Sequence, residues 1–496
     1  MNDRIRTIAV VGMVLLAALI LGTTYWQAWA ESDLAAKQDN AIQRVAQFKI
    51  DRGDIKDENG QPLALNRVVK VNGNTYYLRH YPTGPLVAAV VGYSTQGRSR
   101  AGLERSFNDY LTGSNASLDT VLHSTLNSLE GKTVRGNSLV LTLKLGPQFL
   151  AQRALAGYCG AAVALDVETG KVLVRATSPT SNPNLVEHHF DKIANTKAPC
   201  FSAPAPLVNR ATTGLYVPGS TFKLVTAAAA LESGKFTPDS PFFDPGYCVE
   251  YGKPVYNFGL ESGGPERFGN VTLAEGLQHS INSVYCNIGK ALGAKKILDT
   301  AKKFGFYSTP GLETPGDEQS ASGLYDKGRL FYPQHDYQVD PGRLGFGQER
   351  LGVTPLQMAM VAAAIGHGGV VMQPYLVDKI LKPGGGVLQT TKPRVRGRAI
   401  SPRTAAELTT MMESVVTGGT GTAAQIPGVA VAGKTGTAET SRPGVNTAWF
   451  VAFAPADHPR YAVAVALENQ LHKTGGEVAA PIAKTIMEAL LKQATS

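Results

Sequence analysis

Pro218-Gly219-Ser220-Thr221-Phe222-Lys223-Leu224-Val225 decides how this chain is read. Pro-Gly marks a turn, and the apolar, alanine-rich run that follows to Leu231 predicts a mostly buried helix. Ser220 then stands at the start of that helix, and Lys223 shares its face one turn on. Burial drives a lysine toward its neutral amine, and a neutral amine can take a serine proton. Base assistance of this kind typically contributes about 10²–10⁴ in rate. A helix start also offers backbone N–H groups to an oxyanion. Taken alone, Ser-x-x-Lys is a weak signal, and an N-cap serine beside an unrelated lysine explains it more readily. It gains weight because it occurs once in the chain and because of what lies downstream.

The second element is Ser280-Ile281-Asn282, inside the helical-looking run Leu273 to Leu292. A second hydroxyl and a carboxamide could relay a proton to a leaving amine and hold a peptide carbonyl. Ser106-Phe107-Asn108 has the same pattern but precedes the nucleophile, in a region with no other chemistry. The third element is Lys434-Thr435-Gly436-Thr437-Ala438, in a β-like run. Gly436 is expected to leave one strand face clear for a ligand backbone, and a peptide could pair along the edge as an added strand. Lys434, Thr435 and Thr437 would then meet a substrate carboxylate. Lys473-Thr474-Gly475-Gly476 is a rival, but it leads straight into the terminal helix. Lys434 is followed by the apolar runs Ala448–Phe453 and Tyr461–Leu467, which can complete a sheet, so Lys434 is the one chosen.

Around these elements the 496 residues divide into several segments. Arg4 and Arg6 precede an uncharged stretch from Thr7 to Ala30, with Tyr25, Trp26 and Trp29 where an interfacial belt would lie. The expectation is a cytoplasmic tail at 1–6, a single transmembrane helix at 7–29 and everything beyond it outside the cell. Ala28-Trp29-Ala30 also fits a signal-peptide cleavage site, and both readings export the rest. Residues 30–146 read as an elongated, mixed accessory module, with a strand–turn–strand piece from Arg52 to Ala64. A boundary is placed near Gly146-Pro147, and 147–496 form the catalytic domain. There, Ala161–Asp166 and Lys171–Thr177 predict a buried hairpin, 220 to about 305 a helical stretch, 305–345 loops, Leu351–Ile365 a helix, and Val429–Glu468 strands. Ile482, Ile486 and Leu490 mark a terminal helix. Strands at both ends around a helical middle make an α+β domain in which the first hairpin joins the last strands in one sheet.

Composition excludes some classes. The formal charge is +9, but the basic residues are scattered rather than clustered, which argues against nucleic-acid binding. The four cysteines, Cys159, Cys200, Cys248 and Cys286, permit three pairings in an exported protein. No cluster has metal-ligand spacing, so no metal and no cofactor are expected.

The three elements, in this order, match the Ser-x-x-Lys, Ser-x-Asn, Lys-Thr-Gly set of β-lactamases and penicillin-binding proteins. The resemblance extends further. Arg52-Gly53, Asn59-Gly60, Leu63-Ala64 and Gly102-Leu103-Glu104 look like the pedestal signatures of class B penicillin-binding proteins. Ala161–Gly170, Gly347-Gln348, Thr354-Pro355-Leu356-Gln357, Gly368-Gly369, Pro374 and Trp449-Phe450 look like that family's transpeptidase domain. Size and the short pedestal look most like the actinobacterial penicillin-binding protein A group. Asp57-Glu58 before Asn59-Gly60 and His367 before Gly368-Gly369 depart from the family pattern.

The resemblance implies a serine β-lactamase/transpeptidase-like domain, an antiparallel sheet with helices, on a pedestal. It implies a D,D-transpeptidase in which Ser220 attacks the D-Ala–D-Ala bond of a peptidoglycan stem peptide. Lys223 is then the acylation base, Ser280 a proton shuttle, and Asn282 a group that positions substrate and Lys223. Lys434, Thr435, Gly436 and Thr437 bind substrate, and the backbone N–H groups of Ser220 and Thr437 form the oxyanion hole. The implied partners are stem peptides, β-lactam antibiotics, the cytoplasmic membrane, a membrane glycan polymerase, and division or elongation proteins. A D,D-carboxypeptidase on the same fold and a non-catalytic β-lactam sensor are the competing readings.

Overall fold

A computed structural model describes residues 2–25, 47–114, 134–200, 204–257 and 266–495. The chain begins with helix α1 (Asn2–Tyr25), whose side chains from Val10 to Leu21 are exposed. Among the described residues, no helix is long and apolar enough to cross a membrane. The end of the expected anchor and the first residues of the expected accessory module, 26–46, lie outside the described residues.

The N-terminal module is built on strands β1 (Ile55–Lys56), β2 (Pro62–Val71) and β3 (Asn74–His80), the short helix α2 (Gly102–Ser106), and strand β4 (Ser138–Leu141). The turn between β1 and β2 is held by Asp57, whose Oδ1 accepts the N–H groups of Asn59 and Gln61 at 3.0 and 2.7 Å. An aspartate thus closes that turn where the family pattern departs. Beneath the sheet, Glu104 is fully buried between Arg52 (2.8 Å) and Arg79 (2.6 Å). The discarded Ser106-Phe107-Asn108 belongs here, and Asn108 Oδ1 accepts from Arg52 Nη1.

Helix α3 runs from Leu145 to Ala154 through Gly146-Pro147, where the boundary is expected. The hairpin β5 (Cys159–Asp166) and β6 (Val172–Ser178) follows as the two apolar runs predict. Helix α4 (Lys223–Glu232) comes next, but the expected helical stretch is interrupted. Among the described residues four short strands intervene: β7 (Pro241–Asp244), β8 (Tyr247–Glu250), β9 (Lys253–Tyr256) and β10 (Gly269–Thr272). Asp244-Pro245-Gly246 and Tyr251-Gly252 are the turn signals that separate them. Helices α5 (Leu273–Gln278), α6 (Asn282–Leu292) and α7 (Ala294–Lys303) complete this lobe. Further on come helix α8 (Pro355–Gly366), strands β11 (Val377–Leu381) and β12 (Val387–Thr390), and helix α9 (Pro402–Gly418). The chain closes with β13 (Ala432–Glu439), β14 (Val445–Ala454), β15 (Tyr461–Leu471) and helix α10 (Gly475–Thr495).

The central sheet has the order β13-β14-β15-β5-β6, all antiparallel, so the first hairpin does join the last strands. Its side chains sort by parity. Ala161, Val163, Trp449, Val451, Ala462 and Ala464 join one core, shared with Leu356 and Met360 of α8. Ala162, Ala164, Phe450, Ala452, Val463 and Val465 join the other, with Ile482, Ile486 and Leu490 of α10. Burial on both faces explains why these strands read as unbroken apolar runs. A second sheet, β12-β11-β4-β1-β2-β3, carries strands from both sides of the expected domain boundary.

Two disulfides select one pairing of the three: Cys159–Cys200 and Cys248–Cys286. The second ties β8 to α6.

Candidate active site

Ser220 does not open an α-helix. It lies in a 3₁₀ turn, Gly219–Phe222, that leads into α4 at Lys223. The turn packs along β13, the edge strand of the central sheet. Its approach is fixed from below: Trp449 Nε1 on β14 donates to the Val217 carbonyl at 3.0 Å, and Tyr216 stacks edge-on against the Trp449 ring. Gly436 has a role other than the one expected. A Cβ there would lie 2.8 Å from Thr221 Cγ2 and 3.0 Å from the Pro218 carbonyl oxygen. The face it leaves clear is therefore filled by the Ser220 turn, and among the described residues the other edge of the strand carries no partner strand.

Ser280 and Asn282 also sit differently from the continuous helix expected. The helical run breaks after Gln278, and Ser280 adopts a left-handed conformation with φ 60° between α5 and α6. Asn282 is the first residue of α6. The break turns both side chains toward the lysines. Lys223 Nζ donates to the Ser280 carbonyl (2.6 Å), to Asn282 Oδ1 (2.8 Å) and to Ser280 Oγ (3.3 Å). Lys434 Nζ reaches the same Ser280 Oγ at 2.9 Å and the Thr435 carbonyl at 2.9 Å. Among the described residues no hydrogen bond joins Lys223 to Ser220 Oγ, so the expected direct hydrogen bond is not made. Catalytic hydrogen bonds of this kind often tighten only when substrate is present.

Both lysines are fully buried. Burial pushes Lys223 well below the ordinary lysine range, and the neighbouring Lys434 charge lowers it further. Burial alone lowers Lys434 to about 7. A buried amine near a like charge is the arrangement that yields a neutral base at moderate pH. The Lys223 ammonium also lies 5.3 Å from the ring centroid of Tyr285, an attraction that partly offsets its desolvation.

The motif search missed Thr420. Its Oγ1 lies 2.6 Å from Thr435 Oγ1, so a third hydroxyl extends the Thr435–Thr437 row at the strand edge. The glycine-rich stretch Gly418-Gly419-Thr420-Gly421 was the available signal. Asn257 and Asp244, beneath Asn282, carry no motif at all.

This geometry puts a serine on a rigid turn, a depressed-pKa lysine, a bridging hydroxyl and a second lysine along one sheet edge. That set can run acyl transfer. The model for the penicillin binding protein transpeptidase domain matches residues 160–488. The chain belongs to the penicillin-binding protein transpeptidase family. The penicillin binding protein A dimerisation domain matches residues 52–139. The chain is 34% identical, over 99% of its length and 100% of the relative's, to the peptidoglycan D,D-transpeptidase PbpA of Mycolicibacterium smegmatis. It is 34% identical to PbpA of Mycobacterium tuberculosis, over 99% of both chains. The fold superposes on the M. tuberculosis penicillin-binding protein A ceftriaxone acyl-enzyme complex with a TM-score of 0.76 at 32% identity, covering 90% of this chain and 100% of that one. A D,D-transpeptidase domain from Eggerthella lenta gives 0.76 at 34%, covering 90% and 99%.

Proposed function

We propose that this penicillin-binding protein is a peptidoglycan D,D-transpeptidase in which Ser220 attacks the D-Ala–D-Ala carbonyl of a stem peptide. The bond to the terminal D-Ala breaks, and the amine of a neighbouring stem then displaces Ser220 and closes a cross-link. The observation that carries the reading is the cluster beside the Ser220 turn in which Lys223 bonds both Ser280 and Asn282 while Lys434 bonds the same Ser280 Oγ. Neutral Lys223 takes the Ser220 proton. Ser280 Oγ, shared by both lysines, relays it to the departing amine. Asn282 fixes Lys223 and receives the substrate amide. Lys434, Thr435 and Thr437 face the terminal carboxylate, and the free edge of β13 around Gly436 pairs with the peptide backbone. The N–H groups of Ser220 and Thr437 receive the oxyanion, where one donor is worth about 2.7–4 kcal/mol in comparable sites. β-Lactams enter as stem-peptide mimics and remain on Ser220.

The same proposal places the chain at the cytoplasmic membrane, anchored by 7–29 with the catalytic domain outside. It rests on the exposed apolar side chains of α1 and on Arg4 and Arg6 before them. A membrane glycan polymerase, with division or elongation proteins, is the implied company.

Fluorescent penicillin labelling of the detergent-solubilised full chain tests the nucleophile. Wild type should label and Ser220→Ala should not; labelling that survives the substitution overturns the assignment. Product analysis with a stem peptide and an acceptor amine then reads the second half. A cross-linked dimer supports transpeptidation, whereas free tetrapeptide alone would make the enzyme a carboxypeptidase.

A further inference from the structure

We propose that Asp244 and Asn257 are positioning residues for acylation: they hold Asn282, and through it Lys223, in register with Ser220. This rests on the acyl-transfer reading above. Asn282 and Ser283 open α6, and the residue before them, Ile281, supplies no capping side chain. Asn257 does so from another segment. Its Oδ1 accepts the backbone N–H of Asn282 at 3.0 Å and of Ser283 at 3.2 Å. Two donors that a helix start leaves unpaired are thus satisfied by one amide. The adjacent Tyr256 carbonyl accepts Asn282 Nδ2 at 3.0 Å, which fixes the amide plane and aims Oδ1 at Lys223 Nζ.

Asn257 is itself held by Asp244. The Asp244 carboxylate is 1% exposed and accepts four hydrogen bonds: from Gly246 N and Ser283 Oγ on one oxygen, and from Asn257 Nδ2 and Phe268 N on the other. Four chain segments converge on this one anion, and Asn257 Nδ2 also donates to the Glu266 carbonyl. Burying an ion here is expensive compared with an apolar filler. What a fully satisfied polar network supplies instead is a unique orientation. The group whose orientation it specifies is the amide that touches the general base.

The test is a double-mutant cycle on the full chain, reading the second-order rate of penicillin acylation against pH, with thermal melting alongside. Asn257→Ala should slow acylation by about ten- to a hundredfold. It should also move the rising limb of the pH profile to lower pH, because Lys223 loses an acceptor for its charged form. Asn257→Ala combined with Asn282→Ala should be no slower than Asn282→Ala alone, since one acts through the other. The isosteric Asp244→Asn supplies the same cycle if Asn257→Ala does not fold. Losses that multiply in the double variant, or an unchanged pH profile in singles that acylate like wild type, overturn the positioning role. A wild type that does not acylate would instead overturn the reading on which it rests.

Discussion

Replacing Lys434 with methionine separates the two lysines. Lys223 and Lys434 lie 3.3 and 2.9 Å from the same Ser280 Oγ, so their nitrogens are no more than about 6 Å apart. At that distance two positive charges repel by about 3 kcal/mol at an effective dielectric near 20. That corresponds to about two pH units on whichever group titrates while the other is charged. The neutral base form of Lys223 exists above its lowered pKa and is lost as pH falls through it, which gives acylation a rising limb. The charged form of Lys434 exists below about 7 and is lost as pH rises through that value, which gives a falling limb. The second-order rate reports free enzyme, so wild type should show a bell with its descent near 7. In Lys434→Met the descent should vanish. The rising limb should move up by as much as about two units, because the like charge that depressed Lys223 is gone. The plateau should drop about ten- to a hundredfold, the worth of one charge-assisted hydrogen bond to the carboxylate. Stopped-flow acylation from pH 5 to 10 reads all three. A variant that keeps a descent near 7, or whose rising limb stays in place, would refute the coupling.

Three further perturbations test the frame around the site. Gly436→Ala should cost about 1–3 kcal/mol of stability and most penicillin labelling, because its Cβ drives into Thr221 and Pro218; Thr221→Ser should restore part of both, and full labelling in the single variant would contradict the contact. Cys248→Ser with Cys286→Ser opens a crosslink that spans 38 residues, worth about 4 kcal/mol in the chain-entropy model; thermal melting should register it, and an unchanged melting temperature would show that the tether of α6 is idle. Glu104→Ala leaves Arg52 and Arg79 buried without their shared anion, so denaturant unfolding should show a loss of about 3–5 kcal/mol; a loss below about 1 kcal/mol would mean the cluster is hydrated.

The legible parts of the fold were those with local causes. Ala161–Leu165 and Tyr461–Leu467 are apolar over consecutive residues because both sheet faces are covered, and that pattern is visible without knowing what covers them. Ser220, Lys223, Ser280, Asn282 and Lys434 could be singled out because their motifs are local in sequence, and the fold brings the elements that carry them together. Features set at long range were not. The break at Ser280 has no glycine or proline to announce it, and its left-handed backbone coincides with a carbonyl and hydroxyl held by lysines from two other segments. β11 pairs with β4 across more than two hundred residues, which no local pattern encodes. The strands between Pro241 and Thr272 were hidden differently: alanine-rich helix on either side was extended over turn signals at Asp244-Pro245-Gly246 and Gly252 that were present to be read.

The rejected Lys-Thr-Gly segment clarifies what the chosen one does. Thr474 caps α10 by exchanging hydrogen bonds with Glu477, so Lys473-Thr474-Gly475 is a helix start, as its position before the terminal helix implied. Yet it lies against the site. A Cβ on Gly475 would sit 2.5 Å from the Gly436 carbonyl oxygen and 2.0 Å from that of Trp449, and Gly475 N approaches Thr437 Oγ1 at 3.4 Å. One glycine lets the Ser220 turn close on β13, and the other lets α10 close on it. The strand proposed to receive a peptide on its free edge is thereby clamped by its own chain at the Ser220 turn and at α10. An edge strand held this way has little freedom left to lose when a substrate pairs with it, which is the condition under which backbone pairing contributes to orientation rather than being spent on ordering the enzyme. The glycines of both segments therefore serve close packing around β13, and of the two lysines it is Lys434 that bonds Ser280 Oγ.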